Sequence, residues 1–257
     1  MKITILGTGT SQGIPVIGCH CPVCRSTNPR DKRLRTSLLV ETETTAITVD
    51  VGPDFRQQML RYQVDDLDGT FLTHEHNDHV AGLDDIRPYN FINQKDFPLY
   101  GLPRVLDNIR ERFAYVFAEK KYPGSPSAEL VEIKPWDEIV FGDIRVTALP
   151  VHHGSLDILG FSFGPLVYFT DVKYLDQEVI DAIRGVEILI INALHHRPHH
   201  SHLNLEEALE LIEEIHPQKA FLTHISHTMG FHEEVNAVLP ENVKLAYDGL
   251  VFNTSLK

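Results

Sequence analysis

His74-Glu75-His76-Asn77-Asp78-His79 places four ligand-type side chains within six residues, directly after the apolar run Gly69–Leu72. In an extended strand exit, residues two apart project to the same side, so His74 and His76 can grip one ion together. If the chain then turns into a helix at Asp78, that carboxylate and His79 face a second ion a short distance away. Isolated histidines are usually buried and satisfied, or solvated. Four ligands in a strand-to-loop setting read instead as a metal motif.

Outward from this stretch, apolar runs alternate with turns in both directions. Lys2–Leu6 reads as a buried strand ending in a Gly-Thr-Gly turn, and a cysteine-rich loop follows to about Asp31. Ser37–Glu41 and Thr45–Val49 suit a hairpin, Pro53–Tyr62 has helical spacing, and Gly69–Leu72 is a short strand. Beyond the motif, Asp107–Phe117 reads as helix, Ile144–Val151 and Leu166–Thr170 as strands, and Gln177–Arg184 as helix. Glu187–Ile191 follows as strand, Leu205–Ile215 as helix and Ala220–Leu222 as strand, before a short helix and closing strands near Leu245 and Val251. Hairpins first and strand–helix alternation later predict sheets covered by helices on their outer faces. No linker, repeat or low-complexity segment interrupts the chain, so residues 1–257 are expected to form one α/β domain.

Composition narrows the function. Apolar residues make up 42% and charged residues 23%, ordinary for a chain with a sizeable core. With 23 basic against 36 acidic residues the net charge is -13, the wrong sign for a nucleic-acid polymer as partner. The opening MKITILGTGTSQG lacks the apolar core of a signal peptide, and runs such as Val186–Ile191 fall short of a membrane span. A cytoplasmic protein with no membrane partner is expected. The three cysteines lie between Cys19 and Cys24, which excludes a disulfide scaffold and favours metal binding. Fifteen histidines are more than solvated loops normally carry.

The His74–His79 stretch matches the His-x-His-x-Asp-His signature and so resembles the metallo-β-lactamase superfamily. Later segments match in order: Leu149-Pro150-Val151-His152-His153-Gly154, Phe169-Thr170-Asp171 and Leu222-Thr223-His224. The resemblance implies an αββα sandwich of two mixed sheets covered by helices. It also implies a binuclear site in which His74, His76 and His153 hold one divalent ion, Asp78, His79 and His224 the other, and Asp171 bridges them. His152 competes with His153; the glycine that usually follows the ligand favours His153. Nitrogen and oxygen ligands without thiolate suit zinc, manganese or iron. A water shared by two such ions loses its proton near neutral pH and becomes a nucleophile, so Asp78 counts among the catalytic residues.

Cys19-His20-Cys21-Pro22-Val23-Cys24 offers three thiolates, one short of a closed tetrahedral zinc site. The Gly-Thr-Gly, Gln-Gly and Cys-x-Cys-x-x-Cys opening, with Leu222-Thr-His-Ile-Ser-His227, is similar to the PhnP-like phosphoribosyl 1,2-cyclic phosphodiesterase subfamily. That resemblance implies one structural zinc on Cys19, Cys21, Cys24 and His227, in a loop at about 17–31. His20 is the local alternative, strained by ligands on both sides.

In His195-His196-Arg197-Pro198-His199-His200-Ser201-His202 most members read as solvated. Asn204 with Glu207 three positions on forms a capping pair for the following helix. The family's catalytic histidine lies two residues before such a cap, which implies His202 as proton donor, with His200 the alternative. Arg87 could clamp a phosphate oxygen or pair with Asp84. Tyr247-Asp248-Gly249 reads as a structural turn. The expected activity is hydrolysis of a small cyclic phosphate or nucleotide diester, with a homodimer left open. The alternatives are a tRNA 3′-end processing endonuclease, which needs a basic exosite, and a non-catalytic metal-binding relative. Flavodiiron oxidoreductases are disfavoured because position 76 is His.

Overall fold

The computed structural model describes residues 1–255. Two seven-stranded sheets face each other. The first runs, in spatial order, β14 (Val251–Asn253), β1 (Lys2–Gly7), β2 (Ser37–Glu41), β3 (Ala46–Val49), β4 (Gly69–Phe71), β5 (Phe97–Gly101) and β6 (Ala128–Glu132). The second runs β13 (Val243–Leu245), β12 (Lys219–Thr223), β11 (Ile188–Asn192), β10 (Leu166–Tyr168), β9 (Leu156–Ser162), β8 (Ile144–His153) and β7 (Glu138–Phe141). Each sheet is mixed. The β14-β1-β2-β3 and β10-β9-β8-β7 halves are antiparallel, whereas β3-β4-β5-β6 and β13-β12-β11-β10 are parallel.

Three apolar clusters account for the layering. Ile3, Ile5, Val40, Val49 and Phe71 from one sheet meet Val146, Phe161, Tyr168 and Ile190 from the other. Leu39, Leu72 and Leu99 on the outer side of the first sheet pack on Phe55 and Met59 of the Phe55–Tyr62 helix and on Val105, Leu106 and Ile109 of the Pro103–Arg112 helix. Val179, Ile183, Ala208 and Ile212, from the helices Gln177–Ile183 and Leu205–Ile215, cover the outer side of the second. Strands buried on both faces read as continuous apolar runs, which is why β1 and β11 were conspicuous in the sequence. The result is the expected αββα sandwich.

Several boundaries differ. The helix expected over Asp107–Phe117 is instead Pro103–Arg112 followed by Ala114–Phe117, started by Pro103 at a position where its missing N–H costs nothing. Strands β5, β6, β7 and β9 and the helix Arg87–Asn93 were not read: β5 carries Pro98 and β9 carries Gly160, residues that argue against a strand, and the half-exposed β6 and β7 lie at sheet edges. No helix among the described residues is long and apolar enough to cross a membrane.

Candidate metal centre

The strands β4, β8, β10 and β12 deliver their following residues to one end of the sandwich. His74 lies just beyond β4, and the short helix Asn77–Val80 carries Asp78 and His79. His153 closes β8, while Asp171 and His224 lie just past β10 and β12. Asp50, Asp171 and His224 all have positive φ, at 65°, 59° and 53°. Such a left-handed turn costs an ordinary residue about 1–2 kcal/mol, and here it redirects each side chain off its strand axis. Two glycines let the motif loop approach. A Cβ on Gly52 would lie 2.1 Å from the Asp78 carbonyl oxygen, and one on Gly82 would lie 2.1 Å from the Gly52 carbonyl oxygen. With no side chains there, Val51 N–H donates to the His79 carbonyl and Gly82 N–H to the Val51 carbonyl, both at 2.8 Å.

Two triads form around Asp171. His74, His76 and His153 present converging nitrogens, as do Asp78, His79 and His224 with one carboxylate oxygen. His74 Nε2 lies 2.9 Å from His76 Nδ1. Asp171 reaches both groups: Oδ2 is 3.3 Å from His79 Nε2, and Oδ1 is 3.3 Å from His224 Nε2 and 3.9 Å from His153 Nε2. Asp78 Oδ2 lies 3.2 Å from His79 Nε2 and 3.6 Å from His224 Nε2. His79 Nε2 and both nitrogens of His224 are buried with no hydrogen-bond partner. Buried orphan nitrogens carry a desolvation cost that a cation bound between them removes, so the residues present fit the expected ions.

The electrostatics agree. Burial alone would push His79 down, but the carboxylates of Asp78, Asp171 and Asp50 raise it well above the ordinary imidazole range. Burial favours protonated Asp78 and Asp171, yet His79 and His224 hold both well below the usual carboxylate range. Burial, followed by the charge of His79, drives His74 well down, so its ring is neutral and suited to ligation. Three carboxylates around His79 mark a place where positive charge is favoured, as a bound cation would supply it.

The structure separates the paired alternatives. His152 turns away from the centre, with Nδ1 2.8 Å from Asp157 and Nε2 3.0 Å from Asp176, whereas His153 joins the first triad and has Nδ1 donating to the Ser201 carbonyl at 2.7 Å. His202 lies at the centre, with Nδ1 3.5 Å from Asp171 Oδ1 and its ring stacked on His224 at 4.8 Å. His200 is exposed, its ring tilted against that of His199 at 4.4 Å. The tract is more ordered than a solvated run. Arg197 N–H donates to His195 Nδ1 and Ser201 N–H to His199 Nδ1, and the His199 ring packs 5.0 Å from that of His202. Asn204 and Glu207 form the expected reciprocal cap. Arg87 pairs through Nη2 with Asp84, at 2.8 and 2.9 Å, and with Tyr122, so the expected ion pair is formed. Asp248 accepts from Thr8 Oγ1 and from Leu34 N–H, a structural role.

Cys19, Cys21, Cys24 and His227 converge as a separate cluster, with His227 Nδ1 3.4 Å from the Cys19 sulfur and 3.3 Å from that of Cys21. His20 is exposed and outside it. The His227 hydrogen bond lowers the Cys21 thiol to about 6, while burial raises Cys24 to about 11.

Three contributors escaped the sequence reading. Asp50 accepts from His79 Nδ1 at 2.7 Å and from Thr73 N–H at 2.8 Å. Arg104 and Arg112 hold the motif loop from the neighbouring helix. Asp50 had a weak signal, an aspartate between an apolar strand and Gly52; the arginines had none, because nothing local links position 104 to position 75.

Comparison with known proteins places these observations in context. The model of the Beta-lactamase superfamily domain matches residues 45–225. The chain is 42% identical, over 97% of its length, to a protein named octanoyltransferase from Porphyromonas gingivalis, and covers 51% of that protein. It thus spans about half the length of the curated relatives it matches. A solved diphosphatase of the PhnP family is 35% identical, with TM-score 0.92 and coverage of 99% of this chain and 98% of that one. Zn(2+)-bound PqqB from Methylobacterium extorquens shares the fold, at TM-score 0.83 and 19% identity over 99% and 100% of the two chains.

Proposed function

Because this chain belongs to the metallo-β-lactamase superfamily and is PhnP-like, we propose that it is a binuclear metal-dependent hydrolase cleaving a small phosphate ester, a cyclic phosphate or nucleotide diester first among them. One observation carries the reading: two nitrogen-rich triads meet at the buried Asp171, and the nitrogens of His79 and His224 that face it lack any partner. His74, His76 and His153 would hold one divalent cation and Asp78, His79 and His224 the other, with Asp171 shared. When bound, zinc, manganese or iron ions supply a nucleophilic water at neutral pH and Lewis-acid stabilisation of phosphoryl charge. That local positive charge lets a chain of net charge -13 receive an anion.

The chain's own residues supply the rest. His153 is fixed as a ligand by giving its other N–H to Ser201, and His79 by giving its own to Asp50. His202, walled by His153, His199 and His224, is the group that would hand a proton to the departing alkoxide. Burial, then the surrounding imidazoles, lowers it to about 2, and an anionic ester beside it would favour its protonated form. Octanoyl transfer, named for a protein twice this long, is not carried over to a chain covering half of it.

The test is turnover of bis-p-nitrophenyl phosphate and of cyclic nucleotides by protein loaded in turn with zinc, manganese and iron. Metal-dependent release of p-nitrophenol, lost on chelation, is expected. Two bound ions with no turnover of any diester would leave a metal-binding relative without hydrolytic function.

A further inference from the structure

We propose that Arg104 and Arg112 of the Pro103–Arg112 helix are positioning residues that brace the motif loop and set how tightly the His74, His76 and His153 triad holds its cation. The proposal rests on the metal reading given above.

The triad has one weak member. His74 and His153 are buried, and each has its second nitrogen occupied, Nδ1 of His74 by Thr73 Oγ1 at 2.9 Å and Nδ1 of His153 by the Ser201 carbonyl at 2.7 Å. His76 is exposed, and its Nδ1 is the atom turned toward His74. Among the described residues nothing binds its Nε2. A ligating histidine normally takes its orientation from such an outer partner. His76 must therefore take its orientation from its backbone.

Arg112 grips the chain on both sides of His76, by the backbone of Glu75 and the side chain of Asn77. One Nη donates to the Glu75 carbonyl at 2.8 Å, the other to the Asn77 side-chain oxygen, and Asn108 one turn earlier holds the guanidinium from behind at 3.2 Å. Arg104 adds a second restraint. It donates from one Nη to the Glu75 carboxylate and from the other to the Asp157 carbonyl, the latter at 2.6 Å. Asp157 lies on β9, paired with His152, and the next pair in the register is His153 with Leu156. Arg104 thereby ties the loop that carries His74 and His76 to the hairpin that carries His153. These ligands come from different sheets, so their separation is fixed only by contacts between the two halves. Arg104 is such a contact, and a planar fork is needed to make it.

Both guanidiniums are exposed, and neither the surface ion pair of Arg104 with Glu75 nor the exposed hydrogen bonds of Arg112 add much to global stability. Their effect is local to the loop. The full-length variants Arg104→Ala, Arg104→Lys, Arg112→Ala and Arg112→Lys should be titrated with zinc against a chromophoric chelator, alongside metal content and the melting midpoint of the metal-free chain. In each alanine variant one of the two active-site ions should be held about tenfold more weakly, while the other is held as in the native chain. Arg104→Lys should not fully restore it, because an ammonium, although it has three donors, lacks the rigid fork that aims two of them at acceptors on different elements. The metal-free midpoint should stay near the native value. Variants that compete with the chelator as the native chain does would overturn the proposal, as would a lowered metal-free midpoint with no selective loss of one ion. A native chain that takes up no active-site ion would bring down the metal reading itself, and that result is separately visible.

Discussion

His79 Nδ1 donates to Asp50 Oδ2 at 2.7 Å, and both side chains are sealed from solvent. Asp50 also accepts from the Thr73 amide and hydroxyl, so one carboxylate ties the residue before the motif to the histidine that ends it. The pair fixes which nitrogen of His79 faces the centre and raises the basicity of that nitrogen. Asp50→Asn preserves shape and tolerates the positive φ, but removes the charge. It should weaken metal binding by about 10- to 100-fold with the fold retained. Chelator competition is the measurement, and native affinity in the variant would show that Asp50 does not tune the ligand.

Asp78→Ala should abolish diester hydrolysis while leaving the sandwich intact. Asp78 lies on the short helix Asn77–Val80 beyond the end of β4 and is itself outside the three apolar clusters, so its loss removes a candidate ligand without opening the core. Near-native turnover by metal-replete variant protein would sink the binuclear mechanism.

The two candidate proton donors separate by leaving group. His202→Ala should slow esters of poor alkoxide leaving groups by about 10²- to 10⁴-fold and p-nitrophenyl esters far less, since p-nitrophenolate needs little protonation. His200, exposed on the far side of His199, should be replaceable by alanine with much smaller effect. Equal losses on both ester types in His202→Ala, or loss only in His200→Ala, would move the role.

What the sequence could disclose was whatever is encoded locally. The candidate ligands of the His74–His79 stretch follow an apolar strand at short spacing and were legible locally, whereas His153, Asp171 and His224 were picked out by resemblance to the metallo-β-lactamase superfamily. The Asn204 and Glu207 cap was equally legible, because both partners lie within one helical turn. Long-range polar partners were not. Thr8 finds Asp248 across 240 positions and Arg104 finds Glu75 across 29, and neither pairing leaves a periodic trace. The short edge strands β6 and β7 were missed for the related reason that neither has a fully buried face to set it apart from a loop.

Stability should fall on the acid side of neutrality through His232. Its ring is buried against Arg33, whose Nη2 lies 3.1 Å from Nδ1, with Arg30, Asp31 and Glu233 the other charges around it. Burial, then the Arg33 charge, lowers it to about 4, while the unfolded value is about 6.5. The unfolded chain therefore binds the extra proton in that window, so stability is full above pH ~6.5 and is lost as pH falls toward 4. Asp248, raised to about 6 chiefly by burial, acts with the opposite sign over an overlapping range. Urea midpoints of native and His232→Gln protein at pH 7 and pH 5 isolate the histidine. The native midpoint should drop more than that of the variant; parallel drops would mean that His232 does not titrate on unfolding.

The cysteine cluster should hold one structural zinc whose loss is felt at the catalytic end. His227 lies three residues beyond His224, and the intervening Ile225 is bonded on both sides to the opening turn, its N–H to the Thr8 carbonyl at 2.8 Å and its carbonyl to the Thr10 N–H at 3.1 Å. The thiolates, the opening turn and a second-triad ligand therefore share one short stretch of chain. A structural zinc contributes folding energy directly, whereas an active-site ion contributes mainly reactivity. Cys21 is the most telling position, since its thiol is already lowered to about 6 beside His227 and can ligate as thiolate at neutral pH. Cys21→Ser should reduce zinc content by about one ion per chain, lower the melting midpoint, and reduce turnover indirectly by loosening His224. His227→Ala should do the same, because it removes the one ligand that joins the early loop to the strand exit. Unchanged zinc content and unchanged melting in both variants would mean that the three cysteines are ordinary thiols and that the cluster plays no part in holding the catalytic end together.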